Sequence, residues 1–286
     1  MNDYRFTSWR EIDEGEINAD ILISGNSRAL SHFVPSLIDS AFNCKTYNLG
    51  FGGHTFTPQY FKYGFYVKHN KKPKLIIQNV DFGTLSDMFI IGHEREQVFP
   101  YIYDSYMRRH LVGFGFTKSD VYLPLKRYFG YQQVIKNGLF EFFGIKHYNN
   151  KMSFQGFVPE NGKWNPSELN QLKSVEFSKD STSVHLFKKY LNNLKNENIE
   201  LILVNSPVYY KATEKLTQRE EMHEFFNNVA SENGFVYLDY TDDSICFDST
   251  RFVVSVHLNE EGAKIFTRKL VSDLRKNAIF EKCKNK

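Results

Sequence analysis

One junction constrains this chain more than any other feature. At Ala19-Asp20-Ile21-Leu22-Ile23-Ser24 an apolar run reads as a buried strand, and Gly25-Asn26-Ser27 reads as a turn. Helical periodicity then starts at once: Leu30, Phe33, Val34, Leu37 and Ile38 recur at i, i+3, i+4, i+7 and i+8, along one helix face. The spacing predicts a strand over 21–24 and a helix over 29–42, with Pro35 as a kink. Further strands are expected over 45–48, 74–80, 200–205 and 235–240, and further helices over 57–67, 183–196, 218–233 and 258–276. The Leu75-Ile76-Ile77 run suits a strand covered on both faces. Repeated strand–helix units of this kind require a parallel sheet with right-handed crossovers. The expected fold class is α/β: a flavodoxin-like three-layer sandwich with a mostly parallel five-stranded sheet.

The stretch 87–178 breaks that rhythm. It separates consecutive sheet strands by about 90 residues, far beyond an ordinary connection. It carries much of the chain's aromatic surplus, 27 Phe and 17 Tyr, in clusters such as Tyr101-Ile102-Tyr103, Phe114-Gly115-Phe116 and Phe140-Glu141-Phe142-Phe143. We read 1–286 as a single domain with an inserted helical cap at about 87–178, part of which would roof a pocket. Aromatic walls there suit carbohydrate or acyl ligands.

Composition removes several function classes. The net charge is only +3 and the Lys and Arg are dispersed, so there is no nucleic-acid footprint. Cys44, Cys246 and Cys283 are odd in number and far apart, with neither disulfide framework nor metal spacing. His32, His69, His93, His110, His147, His185 and His223 show no ligand spacing either, so no metal and no cofactor is expected. No apolar run reaches 18 residues, and Met1-Asn2-Asp3-Tyr4-Arg5 is not a signal peptide. Neither G-x-G-x-x-G nor G-x-x-x-x-G-K-[ST] appears, which weighs against a nucleotide site at Gly25-Asn26-Ser27.

Ser27 stands where a strand ends and a helix begins, where free N–H groups and the helix dipole favour negative charge. A serine there is either a helix cap or a nucleophile. The other end of the chain bears on that choice. Phe252-Val253-Val254-Ser255-Val256-His257-Leu258-Asn259-Glu260-Glu261-Gly262-Ala263 closes a strand-like stretch and opens the last helix. A front-end serine and a late histidine in an α/β pattern resemble the SGNH (GDSL-like) hydrolase superfamily. The likeness is closest to envelope-associated SGNH-type proteins of Bacteroides-like bacteria, with their Gly-x-Ser-Arg-Ala and His-Leu-Asn-x-x-Gly-Ala blocks. It covers about 19–270.

The resemblance implies a serine-dependent esterase or acyltransferase on a small-molecule or carbohydrate ester, often an acetyl ester of an envelope polysaccharide. Ser27 would be the nucleophile and His257 the general base, its ordinary pKa near 6.5 suiting proton transfer near neutrality. Oxyanion donors would be the Ser27 N–H, Gly53 in Asn48-Leu49-Gly50-Phe51-Gly52-Gly53, and Asn79, although the family's Gly-x-Asn-Asp wording is absent; Asn79 could instead tie down its loop. The family's orienting Asp falls at Val254, which accepts no proton. Asp248 is the expected substitute, ahead of Asp242, Asp243 or a backbone carbonyl. Without one, the chain would work as a Ser–His dyad or bind polysaccharide without catalysis. Arg28, His54 and Tyr209, the last in Asn205-Ser206-Pro207-Val208-Tyr209-Tyr210, are the expected pocket residues, with Arg28 more suited to pairing with a carboxylate behind the loop. As written the chain reads as soluble. An N-terminal anchor ahead of it, common in the resembled proteins, would put it in the envelope or periplasm; otherwise it would be cytoplasmic. The oligomeric state stays open.

Overall fold

The computed structural model describes residues 4–86, 95–111, 116–123, 126–145 and 153–276. Of the positions singled out above, Asp87, His93, Phe114, Gly115, His147 and Cys283 lie outside the described residues. The chain opens with α1 (Tyr4–Asp13), an element absent from the sequence reading. Next come β1 (Ile21–Ser24), α2 (Ser27–His32), α3 (Pro35–Phe42), β2 (Thr46–Asn48), α4 (Phe56–His69) and β3 (Leu75–Asn79). The inserted region contributes α5 (Ser105–Leu111), α6 (Lys118–Tyr122), α7 (Gln132–Phe142) and the two-residue β4 (Val175–Glu176). Regular alternation then resumes with α8 (Ser181–Asn196), β5 (Glu200–Asn205), α9 (Tyr210–Thr213), β6 (Leu216–Thr217), α10 (Arg219–Glu232) and β7 (Val236–Asp239). The chain ends in β8 (Phe252–Val254), β9 (His257–Leu258) and α11 (Glu260–Lys276).

The protein is α/β, with a central five-stranded sheet in the order β2-β1-β3-β5-β7, parallel throughout. Period-two alternation divides each strand between two cores. Leu22, Ile76, Leu201 and Leu203 face the layer built on α4, α8 and α10, with Phe65, Tyr190 and Phe226. Ile21, Ile23, Leu75, Ile77, Ile202 and Val204 face the layer of α3 and α11, with Ile38, Phe266 and Leu270. Covered on both faces, the strands must be apolar without interruption. Chain order reverses at β1, whose neighbours are β2 and β3, so a crevice opens at its carboxyl end.

One expectation needs correction. The helix expected over 29–42 is two helices, because Phe33 and Val34 are extended. A residue before proline is driven out of the helical region, and the freed Val34 N–H donates to Thr267 Oγ1 at 3.0 Å. The strand-like run at 252–256 stands apart from the central sheet. β8 and β9 form a separate antiparallel hairpin, with Val254 opposite His257 across Ser255-Val256.

The end of the insertion forms a strap over both halves of the molecule. Gln155 O accepts from Asn48 N–H at 2.9 Å, and Val158 N–H donates to Leu30 O at 3.0 Å. Farther along, Asn165 N–H donates to Val253 O at 3.3 Å, and Glu160 O accepts from Glu260 N–H at 3.0 Å. The strap thus binds α2 and the β8–β9 hairpin together.

Candidate active site

Gly25 ends β1 with φ +145°, and a Cβ there would stand 2.8 Å from Asn79 Cβ and 2.7 Å from Ala29 Cβ, so only glycine fits the turn. Asn26 then caps α2: its Oδ1 accepts from Arg28 N–H at 3.0 Å, and its Nδ2 donates to Asp81 Oδ2 at 2.6 Å. The capping role therefore falls to Asn26, which leaves the Ser27 hydroxyl for other contacts. Ser27 Oγ lies 2.9 Å from His257 Nε2, although 230 residues separate the two in sequence. Both residues are half-buried, so the pair is held by the fold and still reachable from solvent.

The ground beneath this pair is a polar network at the carboxyl ends of three strands. Arg28, buried, reaches Asp81 Oδ2 at 3.5 Å, Asn205 Oδ1 at 3.0 Å and the Ser206 carbonyl. Burial works against the Arg28 charge, and Asp81 acts to restore it. Arg28 thus engages a carboxylate behind the loop and is not a pocket group. Asn79 also points inward. Its Oδ1 accepts from Ser206 N–H at 3.3 Å, and its Nδ2 is buried without a partner among the described residues. Through Oδ1, Asn79 supports the β5 end, the loop-tying alternative named for it.

Sequence reasoning passed over His32, which is fully buried one turn beyond Arg28. Its Nε2 accepts from Leu258 N–H at 3.1 Å. Because that nitrogen accepts, the neutral ring carries its proton on Nδ1, which lies 2.9 Å from Ser206 Oγ and donates to it. Burial first, then Arg28 and His257, holds the His32 pKa well below the ordinary histidine value, and the Val256 carbonyl offsets only part. Glu168, in the Pro166–Gln171 turn of the strap, was also passed over. Its carboxylate accepts from Ser255 N–H at 2.8 Å and from Ser255 Oγ at 2.9 Å, pinning the hairpin turn two residues before His257.

The expected orienting acid is not where the sequence order put it. Asp248 accepts from Thr250 N–H at 3.0 Å and Thr250 Oγ1 at 2.6 Å, and its other oxygen pairs with Arg251 Nε at 3.0 Å. These bonds make it the cap of its own short turn. They pull its pKa down, the Thr250 hydroxyl contributing most. Asp242 pairs with Arg219, and Asp243 caps the Ser244–Phe247 turn. Val254, the position of the family's acid, does sit across from His257 and is half-buried.

The glycine loop lies against α2. Phe51 N–H donates to Gly25 O at 2.8 Å, and a Cβ on Gly52 would stand 3.9 Å from Ser27 Cβ. Gly53 has φ +72° and open space on its Cα. Among the described residues, neither the Gly52 nor the Gly53 N–H has a protein acceptor. Both are therefore available to a ligand oxygen, and Gly52 is the one measured against Ser27. His54 stacks on Phe51 at 3.6 Å between centroids and engages the Gly52 carbonyl through Nδ1, so it braces the loop; burial lowers its pKa to about 4. Tyr209 packs against Trp164 at 4.7 Å and Phe252 at 5.8 Å, and its N–H donates to Ser255 O, beside the hairpin.

Among the described residues, the aromatic part of the insertion lines a cavity that stands apart from Ser27. A cavity of about 760 Å³ lies between α1, Arg95–Tyr101 and α7, with Phe6, Phe99, Tyr128 and Leu139 in its walls; Ser27, Gly52 and His257 take no part in it. Among the described residues, no three His, Cys, Asp or Glu side chains cluster as a metal site would require, and no helix is long and apolar enough to cross a membrane. Fold and site together define a doubly wound α/β protein with a Ser–His pair at the sheet's switch point. No protein-family model and no curated protein matches the chain.

Proposed function

We propose that this protein is a serine-dependent O-acyl esterase or acyltransferase acting on a carbohydrate-linked ester, acetyl above all. The observation that carries the reading is the 2.9 Å contact between Ser27 Oγ and His257 Nε2 beside a loop with two unengaged N–H groups. Acyl transfer needs this set: a nucleophile, a base within about 3 Å, and donors aimed at the developing oxyanion. His257 Nε2 takes the Ser27 proton as Oγ attacks the ester carbonyl. The N–H groups of Ser27, Gly52 and Gly53 receive the negative oxygen. Collapse expels the alcohol, which takes the proton back from the imidazolium, and leaves an acyl-serine. Water then completes hydrolysis, or an acceptor hydroxyl completes transfer. The carbohydrate ester is supported by the resemblance to SGNH-type proteins.

A second reading, a catalytically silent binding protein of an envelope polysaccharide pathway, is favoured by Val254, where the resembled proteins carry the orienting acid. Hydrolysis of p-nitrophenyl acetate separates the two. The esterase reading expects turnover that Ser27→Ala removes at unchanged melting temperature. Equal turnover in Ser27→Ala, or none in the wild type with either water or sugar acceptors, favours the silent protein.

A further inference from the structure

The Ser27–His257 contact joins two segments that share no sheet strand. β9 lies outside the central sheet, so nothing in the sheet's register places His257 over α2. A polar bond joins β9 to α2 beside the pair, from Leu258 N–H to His32 Nε2. His32 follows Ser27 on the same short helix, and Leu258 directly follows His257. One side chain on the serine's helix therefore holds the backbone of the base. The rings of His32 and His257 also meet edge to face, with centroids 6.3 Å apart and planes 88° apart.

We infer that His32 is the positioning residue of this pair: as the Nδ1–H tautomer, locked by Ser206 Oγ, it accepts the Leu258 amide proton and so fixes His257 against Ser27. The inference deepens the acyl-transfer reading and rests on it for its kinetic consequence. Only one neutral form can do this. A ring with its proton on Nε2, or a protonated ring, would present a donor to the Leu258 N–H and repel it. The Leu258 N–H selects this form, and Ser206 stands ready to accept the Nδ1 proton because its own N–H donates to Asn79 Oδ1 and its carbonyl receives Arg28, which fixes the residue from both sides. The charged and titratable groups facing His32 are Arg28 and His257, and both disfavour a proton on it. With Nε2 accepting from Leu258 and Nδ1 paired with Ser206, the buried neutral ring avoids the cost of an unpaired polar nitrogen.

The test compares wild type, His32→Leu and His32→Gln; glutamine supplies a carbonyl for Leu258 and an amide N–H for Ser206. Side-chain ¹⁵N shifts at neutral pH should show His32 in wild type as the Nδ1–H tautomer. Exchange of the Leu258 amide should quicken at least ~10-fold in His32→Leu, with α11 amides unchanged. In p-nitrophenyl acetate hydrolysis kcat should fall on the order of 10²-fold at nearly constant KM, as a displacement near 1 Å would produce, with partial rescue by His32→Gln. An Nε2–H tautomer, or a Leu258 amide indifferent to the substitution, overturns the inference whether or not the protein is an esterase. An active wild type whose kcat His32→Leu leaves unchanged overturns it too. An inactive wild type with the expected tautomer and exchange would refute the esterase reading alone.

Discussion

Removing the Asp81 charge should destabilise the protein by more than any surface change, and the structure gives the size. Asp81 and Arg28 expose about 4% and 5% of their side chains. Asp81 Oδ2 accepts from Asn26 Nδ2 at 2.6 Å as well as facing Arg28, while Oδ1 accepts from Gly83 N–H at 3.0 Å and Thr84 Oγ1 at 3.2 Å. Asp81→Asn keeps the shape, leaves the guanidinium without its strongest counter-charge, Asp239 being the weaker one, and turns one acceptor into a donor. Breaking one side of a buried ion pair costs about 3–5 kcal/mol. At 3.5 Å the Arg28 contact is long, so the lower end, about 3 kcal/mol, is expected. At roughly 2–4 °C per kcal/mol for chains of this size, the melting temperature falls by roughly 6–12 °C. Urea denaturation at pH 7 measures it. Arg28→Met in the Asp81→Asn background should cost less than Arg28→Met alone, since neither charge then remains, with a coupling of about 1–3 kcal/mol. A loss under about 1 kcal/mol for Asp81→Asn, or strictly additive effects, would refute the argument that this pair supports the Ser27 turn.

Three further outcomes follow from other contacts. His54 is held neutral with a pKa of about 4, below its unfolded value near 6.5, so the unfolded chain binds the extra proton. Its contribution is complete above pH 6.5 and is lost as pH falls toward 4: about 2 kcal/mol by pH 5, which urea midpoints should show and His54→Phe should flatten. Gly156→Ala puts a Cβ 1.9 Å from Asn48 O at φ +79°, so the strap must lift; a cost of about 1–3 kcal/mol by thermal melting is expected, and a neutral result would mean the strap yields freely. Val254→Asp places a carboxylate opposite His257 and should raise kcat toward a ceiling near 10⁴-fold, while an unchanged rate in a folded variant would exclude that position as an orienting site.

The architecture was legible because its signals are local. The apolar runs of β1, β3 and β5 and the helical periods that alternate with them point to a doubly wound sheet, and the Gly25 turn marks the switch point. Ser27 and His257 were legible from motifs at the two ends, and the structure brings them within hydrogen-bond reach. What failed was inference from nearness along the chain. Asp248 is close to the histidine loop in sequence, yet Asx-type bonds to Thr250 turn its carboxylate onto its own backbone. Val34 was expected to be helical, and the proline after it decided otherwise. His32 and Glu168 carried no pattern, because their partners Leu258 and Ser255 are 226 and 87 residues away and only tertiary folding delivers them.

The central claim is that His257 activates Ser27 as a nucleophile. Reaction with a fluorophosphonate followed by peptide mapping tests it without knowledge of the natural ester. The 2.9 Å contact predicts one adduct, on Ser27, absent in Ser27→Ala and forming far more slowly in His257→Asn. An unmodified wild type, an adduct on another residue, or an equal labelling rate in His257→Asn would contradict it.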